Sequence, residues 1–248
     1  DEFVKGRIFY PLNMKHSTTT NSVFSKKTNV ALPHLNSKVQ PFINYDNSGP
    51  AASINSCVDD MLKWAQFWIN KGRVDTTQLL SEDSYYTITK SYLGLNRGRG
   101  EEIGGTHFAA TGLGWFLNDY AGRKIMSHGG GLPGYLSRIT IVPEDSLGIV
   151  IFQNDMQPVY REINRKIIDL LLTDKDVDYV ALSLERSKHT NFRNEERKQK
   201  REESRLEGTE PSFNLSSYAG VYSDKMYGDA EIKMMDDEIQ DTLIHTKE

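Results

Sequence analysis

The most informative part of the sequence is Gly112-Leu113-Gly114-Trp115, followed by His128-Gly129-Gly130-Gly131-Leu132-Pro133-Gly134-Tyr135. Three of its glycines match the spacing G-x-G-x-x-G, which opens a helix after a strand in dinucleotide-binding proteins. Here Pro133 interrupts that spacing, and the residues after it alternate as a strand does. We therefore exclude a nucleotide-binding loop. We expect instead a strand that ends at His128 and leads into an open glycine-rich edge.

This glycine-rich edge has two interpretations. Glycine lets a substrate carbonyl approach the backbone closely, so exposed N–H groups after His128 can line an acyl-transfer site. The alternative is a glycine-rich hairpin that carries an exposed histidine and no chemistry. Spacing alone does not decide between them.

Patterns of apolar residues around the edge predict an α/β fold. Alternation predicts strands over Leu113–Leu117, Lys124–His128, Leu136–Val142 and Leu147–Gln153. The turn Pro143-Glu144-Asp145-Ser146 should join the last two strands into an antiparallel hairpin. Apolar residues at helical spacing predict helices over Val58–Lys71 and Val159–Leu172, and the second helix should pack across the sheet.

The C-terminal part of the chain is more polar. Arg193 to Arg205 contains six basic residues and four glutamates, a mixture that favours a solvated linker helix. A nucleic-acid surface is disfavoured, because no aromatic residue separates the charges and the glutamates offset them. Tyr218–Tyr222 and Ala230–Met234 predict two strands of a second, β-rich domain. The predicted domains are 1–173, a charged linker over 174–211, and 212–248.

Composition excludes several classes of function. The net charge of −4 gives no general attraction to nucleic acid or to an anionic membrane. No apolar run approaches the roughly 20 residues of a membrane span. Cys57 is the only cysteine and is expected to be a buried structural thiol, and the six histidines share no metal-site spacing. We expect no cofactor, no metal and no nucleic-acid partner.

Four motifs in order carry a resemblance to a known family. They are Phe9-Tyr10-Pro11-Leu12-Asn13-Met14 with Thr18, Gly49 to Ser56 with Asp59-Asp60-Met61 and Trp64, Gly112 to Trp115, and His128-Gly129-Gly130 through Pro143-Glu144. Together they resemble the β-lactamase-related serine hydrolases, which include class C β-lactamases, D-alanyl-D-alanine carboxypeptidases, D-aminopeptidases and related esterases. The resemblance covers about Phe3 to Thr173. Asn13 stands where the family usually has glycine.

The resemblance implies a partial β-lactamase/transpeptidase-like fold with a helical subdomain remnant, antiparallel strands and a C-terminal helix. It also implies three active-site elements: Ser-x-x-Lys, Tyr-x-Asn or an equivalent, and a third element of the form His-x-Gly. Only the third is present, as His128-Gly129-Gly130, and the sequence contains no Ser-x-x-Lys. In the family the first two elements precede the "P-L-G-M" stretch, so we expect them before Asp1.

These implications define the expected function. The chain would be the C-terminal part of a serine hydrolase that cleaves amide or ester bonds of a small-molecule or peptide substrate through an acyl-enzyme. His128 would be catalytic, Gly129, Gly130 and Gly131 would form the substrate and oxyanion edge, and the chain alone would be inactive. The alternative is a non-catalytic binding protein on the same scaffold. Leu215 to Gly228 resembles the start of a lipocalin-like domain, which some serine peptidases of this group carry.

Overall fold

The structure, a computed structural model, describes residues 1–21, 29–96, 105–157, 159–225, 228–235 and 238–244. The chain divides into two compact units, Asp1–Arg186 and Ser187–Glu248. The predicted boundaries at 173/174 and 211/212 stay a prediction. Among the described residues, no helix has both the length and the apolar character that a membrane span requires.

The first unit contains five α-helices and ten strands among its described residues. The helices are α1 (Glu2–Val4), α2 (Gly49–Ala52), α3 (Val58–Ile69), α4 (Glu82–Thr89) and α5 (Val159–Leu172). A π-helix, Lys5–Phe9, continues α1. The strands are β1 (His34–Leu35), β2 (Lys38–Val39), β3 (Arg73–Val74), β4 (Thr77–Gln78), β5 (Leu93–Gly94), β6 (Ala109–Thr111), β7 (Phe116–Tyr120), β8 (Arg123–Leu132), β9 (Tyr135–Val142) and β10 (Leu147–Gln153). A sixth α-helix, α6 (Tyr179–Glu203), begins in this unit and continues into the second.

The central sheet is antiparallel and has the order β10-β9-β8-β7-β6-β5. Chain neighbours are sheet neighbours throughout. Two-residue loops join β7 to β8 and β8 to β9, and the four-residue turns 112–115 and 143–146 join β6 to β7 and β9 to β10. The turn 143–146 ends with Ser146 in the left-handed region, at φ 51°. The predicted hairpin of β9 and β10 is confirmed.

Helices cover both faces of the sheet. Helix α3 packs on β9 and β10 through Ala65, Phe67 and Trp68, and it shares a core with Met126 and Ile141. Helix α5 packs on the same two strands from the other side through Ile168, and it shares a second core with Ile125, Val142 and Ile149. Because Ile125 and Met126 are neighbours that join different cores, the two helices lie on opposite faces. The prediction that Val159–Leu172 packs across the sheet is confirmed.

Two strand predictions were wrong in their bounds. Residues 112–115 are not a strand: Gly112 N–H donates to Trp115 O at 2.8 Å, and Gly114 has φ +75°, so β7 begins only at Phe116. In the other direction, β8 does not end at His128 but continues to Leu132. Pairing with β9 satisfies one side of the glycine backbone, so strand geometry persists without side chains. The predicted helix over Val58–Lys71 is present but ends at Ile69.

The second unit contains the rest of α6 and a three-stranded antiparallel sheet. Its strands are β11 (Gly220–Asp224), β12 (Gly228–Met235) and β13 (Glu238–Ile244), in that order. The helix predicted within Arg193–Arg205 is confirmed, and both strands predicted after Pro211 are present. The first strand begins at Gly220 and not at Tyr218, because Leu215–Tyr218 forms a 3-10 helix. The described side chains of α6 from Ser187 onward are exposed, as expected for a polar helix.

Candidate active site

The candidate site lies where β8 extends beyond its neighbour β7. On one side, β8 pairs with β9 as far as Leu132 opposite Tyr135. On the other side, its pairing with β7 stops at Ser127 opposite Phe116. Residues 128–132 of β8 therefore have one paired side and one side that no described strand of the sheet covers. This is the open glycine-rich edge that the sequence predicts.

The two hairpins determine which backbone groups face this open edge. Tyr120 and Arg123 flank the two-residue loop between β7 and β8, so Arg123 directs its N–H and C=O toward β7. Counting in steps of two along β8, the same direction holds for Ser127, Gly129 and Gly131. The hairpin of β8 and β9 gives the same result independently, because Leu132 flanks its two-residue loop and faces β9.

Gly129 and Gly131 therefore present their N–H and C=O groups to the open edge, whereas His128 and Gly130 direct theirs into the β8–β9 ladder. Gly131, one of the three glycines of the predicted substrate and oxyanion edge, is thus among the residues whose N–H faces the open side. A Cβ at Gly130 would lie 2.5 Å from Ser137 Oγ, so a side chain at this position would require Ser137 to change its rotamer.

A cavity of about 440 Å³ opens beside this edge, on the face of the sheet that α3 covers. Its walls are mostly apolar and aromatic, with His128, Gly129 and Gly130 along one margin. Residues of α3 (Met61, Trp64, Trp68), of the 112–115 turn (Leu113, Gly114, Trp115) and of β9 and β10 (Ser137, Arg138, Ile139, Val150, Phe152) line it, together with Ala51. Trp68 and Trp115 meet edge to face at 5.1 Å between ring centroids, which makes this wall rigid.

The side chain of His128 is exposed and stacks on Phe116. The two ring centroids are 5.7 Å apart, and the planes are inclined by 25°. Phe116 is itself about half exposed, at 49%. The imidazole is thus placed by a flat apolar contact, and neither of its ring nitrogens has a hydrogen-bond partner among the residues that the structure describes. Both nitrogens can serve a substrate.

A cation lies across the ladder from the edge. Arg138 is paired with Gly129, and its Nη2 donates to Ser127 Oγ at 2.9 Å. Its Nε is buried and has no hydrogen-bond partner among the described residues. Burial lowers the pKa of Arg138 from its usual value, with Arg161 and Arg165 adding repulsion that Tyr160 opposes. Because Arg138 lies opposite Gly129, its side chain is on the face of the sheet that α5 covers, with Ser127, and not on the face of the cavity.

A separate segment fixes the far end of the edge strand. Gly134 has φ +87° at the hairpin tip, and a Cβ there would lie 2.3 Å from Pro33 Cβ. Tyr135 Oη donates to Ala31 O at 2.7 Å, and burial raises the pKa of Tyr135 to about 12. His34 N–H also donates to Gly134 O at 3.3 Å. Residues 31–34 therefore pack on the tip that follows Gly131.

The structure brings the four predicted site residues, His128 to Gly131, together on one strand end. It adds two aromatic neighbours that the sequence argument did not assign to the site, Phe116 and Trp64. Phe116 lies opposite Ser127, in a register that the two-residue loop Ala121-Gly122 fixes. Trp64 was not predictable, because its position at the cavity depends on how α3 crosses the sheet. Cys57, expected to be buried, is only partly so, since it precedes the first turn of α3.

Comparisons with known proteins agree with this architecture. The chain resembles the octameric penicillin-binding protein homologue from Pyrococcus abyssi, with a TM-score of 0.58, 20% identity, and coverage of 96% of this chain and 46% of that one. It also resembles D-amino acid amidase from Ochrobactrum anthropi SV3 complexed with D-phenylalanine, with a TM-score of 0.49, 17% identity, and coverage of 68% and 53%. The chain thus spans about half the length of these two proteins. No curated protein sequence matches it.

The family model described as beta-lactamase matches residues 1–173. This range contains the six-stranded sheet, helices α1 to α5, the cavity and the glycine-rich edge. It accounts for more than half of the chain, and it agrees with the resemblance that the four sequence motifs carry. The chain belongs to the β-lactamase family.

Proposed function

We propose that this chain supplies the substrate-edge half of a serine hydrolase that cleaves an amide or ester bond through an acyl-enzyme. The observation that carries the proposal is which backbone groups of β8 face its unpaired side. The strand directs the N–H groups of Gly129 and Gly131 to an uncovered edge, beside a cavity whose margin holds His128. N–H groups two residues apart on a strand lie about 7 Å from each other, so an oxyanion would bind one of them together with a second donor from outside this strand.

The nucleophile in this proposal comes from a Ser-x-x-Lys segment outside residues 1–248, because the sequence contains none. The serine hydroxyl attacks the substrate carbonyl, the oxyanion binds Gly131 N–H together with the N–H of the nucleophile, and the leaving group departs with a proton. Water then hydrolyses the acyl-enzyme. In this proposal His128, at the margin of the cavity, orients the substrate by a hydrogen bond or assists that proton transfer.

The second unit is proposed to be the opening of a lipocalin-like β domain. This proposal is supported by the antiparallel order β11-β12-β13 and by the resemblance of the stretch from Leu215 to Gly228 to the start of such a domain. This assignment adds no catalytic group to the proposed reaction.

Labelling with a fluorescent fluorophosphonate tests the proposal. The 248-residue chain should show no stoichiometric serine labelling, and a longer protein that carries Ser-x-x-Lys should show it. In that longer protein His128→Ala should lower turnover of an ester or amide substrate about a hundredfold. Its thermal unfolding should remain within about 0.5 kcal/mol of the parent, because the side chain is exposed.

His189→Ala is the matched control, since His189 is an exposed histidine on α6. It should leave both turnover and stability unchanged. Labelling of the 248-residue chain at one serine, or equal turnover of the two histidine variants, would require the proposal to be withdrawn. A longer protein that carries Ser-x-x-Lys and remains unlabelled would instead favour the non-catalytic alternative.

A further inference from the structure

Three arginines on the exposed part of α6 and a fourth just after its end form a series that we call the arginine ladder. Arg193, Arg197, Arg201 and Arg205 follow one another at four-residue spacing. The helix ends at Glu203, and the bond from Arg205 N–H to Glu202 O at 3.1 Å carries one further turn. Successive members of an i,i+4 series are neighbours on one face, about 6 Å apart along the axis. All four side chains are exposed.

The fold of the chain does not explain this arrangement. Like charges at i,i+4 destabilise a helix, and the ladder repeats that repulsion three times. Lys200 and Arg201 gain from the negative end of the helix dipole, but Arg193 and Arg197 are too far from that end. Within the described ranges, no carboxylate lies within 4.0 Å of any ladder arginine. Repulsion among the ladder arginines therefore destabilises this part of the helix, and no carboxylate of the described residues lies close enough to offset it.

The glutamates of α6 lie mainly on another face. At 100° per residue, the side chains of Glu195, Glu196, Glu202 and Glu203 project roughly 120° or more from the centre of the ladder. The sequence argument that these glutamates offset the basic charge therefore holds for the net charge but not for the ladder face. A groove of about 680 Å³ is lined by four basic residues and one glutamate: Arg197, Lys198, Arg201, Arg205 and Glu202.

We propose that the ladder face of α6 docks an acidic helix of a partner protein, one with glutamate or aspartate at repeated four-residue spacing. Carboxylates on such a helix repeat at the same interval of about 6 Å as the arginines. Each guanidinium presents a planar fork of donors that matches a carboxylate in two hydrogen bonds. The two series can therefore pair at every turn, and the repulsion along the ladder is relieved on binding.

Two other anionic partners fit the ladder face less well. Single-stranded nucleic acid is normally held by aromatic side chains on which bases stack, and the ladder face has none; Phe192 projects from the opposite side. An anionic membrane surface would need apolar residues to enter it, and the ladder face has no apolar residue between Arg193 and Arg205.

Fluorescence anisotropy with a labelled probe peptide tests the proposal on the 248-residue chain. The probe is an alanine-rich helical peptide of about 20 residues with four glutamates at i,i+4 positions. A peptide of the same composition with its glutamates two residues apart is the comparison, because this spacing scatters them around the helix. The first peptide should bind more tightly, and its affinity should fall as salt rises from 20 to about 200 mM.

Paired variants assign the binding to the ladder. Arg197→Gln/Arg201→Gln should weaken binding about fivefold or more, with helix content by circular dichroism retained or increased. Lys188→Gln/Lys225→Gln removes the same charge from exposed positions off the ladder and should change little. The proposal is overturned if the two peptides bind equally, if both variants weaken binding equally, if a uridine oligonucleotide of equal charge binds more tightly, or if no peptide binds at low salt.

Discussion

Asp60 is the buried group whose removal has the clearest predicted consequence. It lies in the first turn of α3 with no exposed surface, and it accepts hydrogen bonds from His16 N–H at 2.7 Å, Ser17 Oγ at 2.9 Å and Lys63 Nζ at 3.0 Å. Lys63 Nζ also donates to Asn13 O at 2.6 Å. One carboxylate thus joins the segment after the π-helix to the helix that forms the wall of the cavity.

The size of the effect follows from what each substitution leaves behind. Asp60→Ala removes three bonds to a charged acceptor, and it should destabilise the first unit by about 3 kcal/mol. The cost should not exceed this greatly, because Lys63 is partly exposed and can be rehydrated. Asp60→Asn retains the shape and one acceptor, and it should cost about 1.5 kcal/mol. Asp59→Asn, in the same turn but exposed, should cost at most about 0.5 kcal/mol.

The pH dependence supplies an independent check. Burial raises the pKa of Asp60, but the bonds from Lys63, His16 and Ser17 outweigh burial and hold the pKa below its usual value of 3.8. A depressed pKa in the folded state stabilises the protein above the unfolded pKa, and this contribution is lost as pH falls through the folded value. The stability difference between the parent and Asp60→Asn should therefore be constant from pH 7 to about 5 and shrink below about 4.

Urea unfolding followed by tryptophan fluorescence measures both effects, because Trp64 and Trp68 lie on the same helix as Asp60. The unfolding midpoint should shift at constant slope. Equal stability of Asp59→Asn and Asp60→Asn at pH 7 would refute the network. So would a difference that grows as the solution is acidified.

Two further predictions concern trypsin cleavage within α6 and substitution of the loop glycine Gly134. Limited trypsin digestion should cut first between Lys188 and Arg205, where every described side chain is exposed, and a first cut at Arg138 inside the sheet would contradict this. Gly134→Ala should destabilise the first unit by about 2 kcal/mol or more, because the new Cβ meets Pro33 at 2.3 Å and φ is +87°. Gly122→Ala has similar strain at φ +77° but open space, so it should cost about 1 kcal/mol, and equal costs would show that the contact with Pro33 is unimportant.

Elements with strong periodicity and short loops were predictable from the sequence. The β9–β10 hairpin and α5 follow from an alternating run, a Pro-Glu-Asp-Ser turn and a helical run in succession. The end of β8 was not predictable, because strand propensity falls at three consecutive glycines whereas pairing with β9 maintains the strand. The turn 112–115 was mistaken for a strand because its apolar residues alternate, although Gly114 requires positive φ.

The candidate site was likewise only partly predictable from the sequence. His128 to Gly131 could be named from the motif, but which of their N–H groups are available depends on strand phase. The aromatic wall could not be derived, because Trp64 and Trp68 read as core residues of an amphipathic helix and only the packing of α3 leaves Trp64 at a cavity. The four-residue spacing of the arginines is present in the sequence, but the net charge of the segment does not reveal it. Charge on a helix must be resolved by face before it is summed.

The loops at the two ends of β8 fix which of its backbone groups face the candidate site. A shift of one residue in the pairing of β8 would turn the N–H groups of Gly129 and Gly131 into the ladder and expose those of His128 and Gly130 instead. The loops Ala121-Gly122 and Pro133-Gly134 oppose that shift from both ends of the strand, and the second is held against residues 31–34. The direction of the Gly129 and Gly131 N–H groups, on which the proposed oxyanion site rests, therefore depends on contacts at the hairpin tips. Substitutions at those tips should impair a site whose own side chains remain intact.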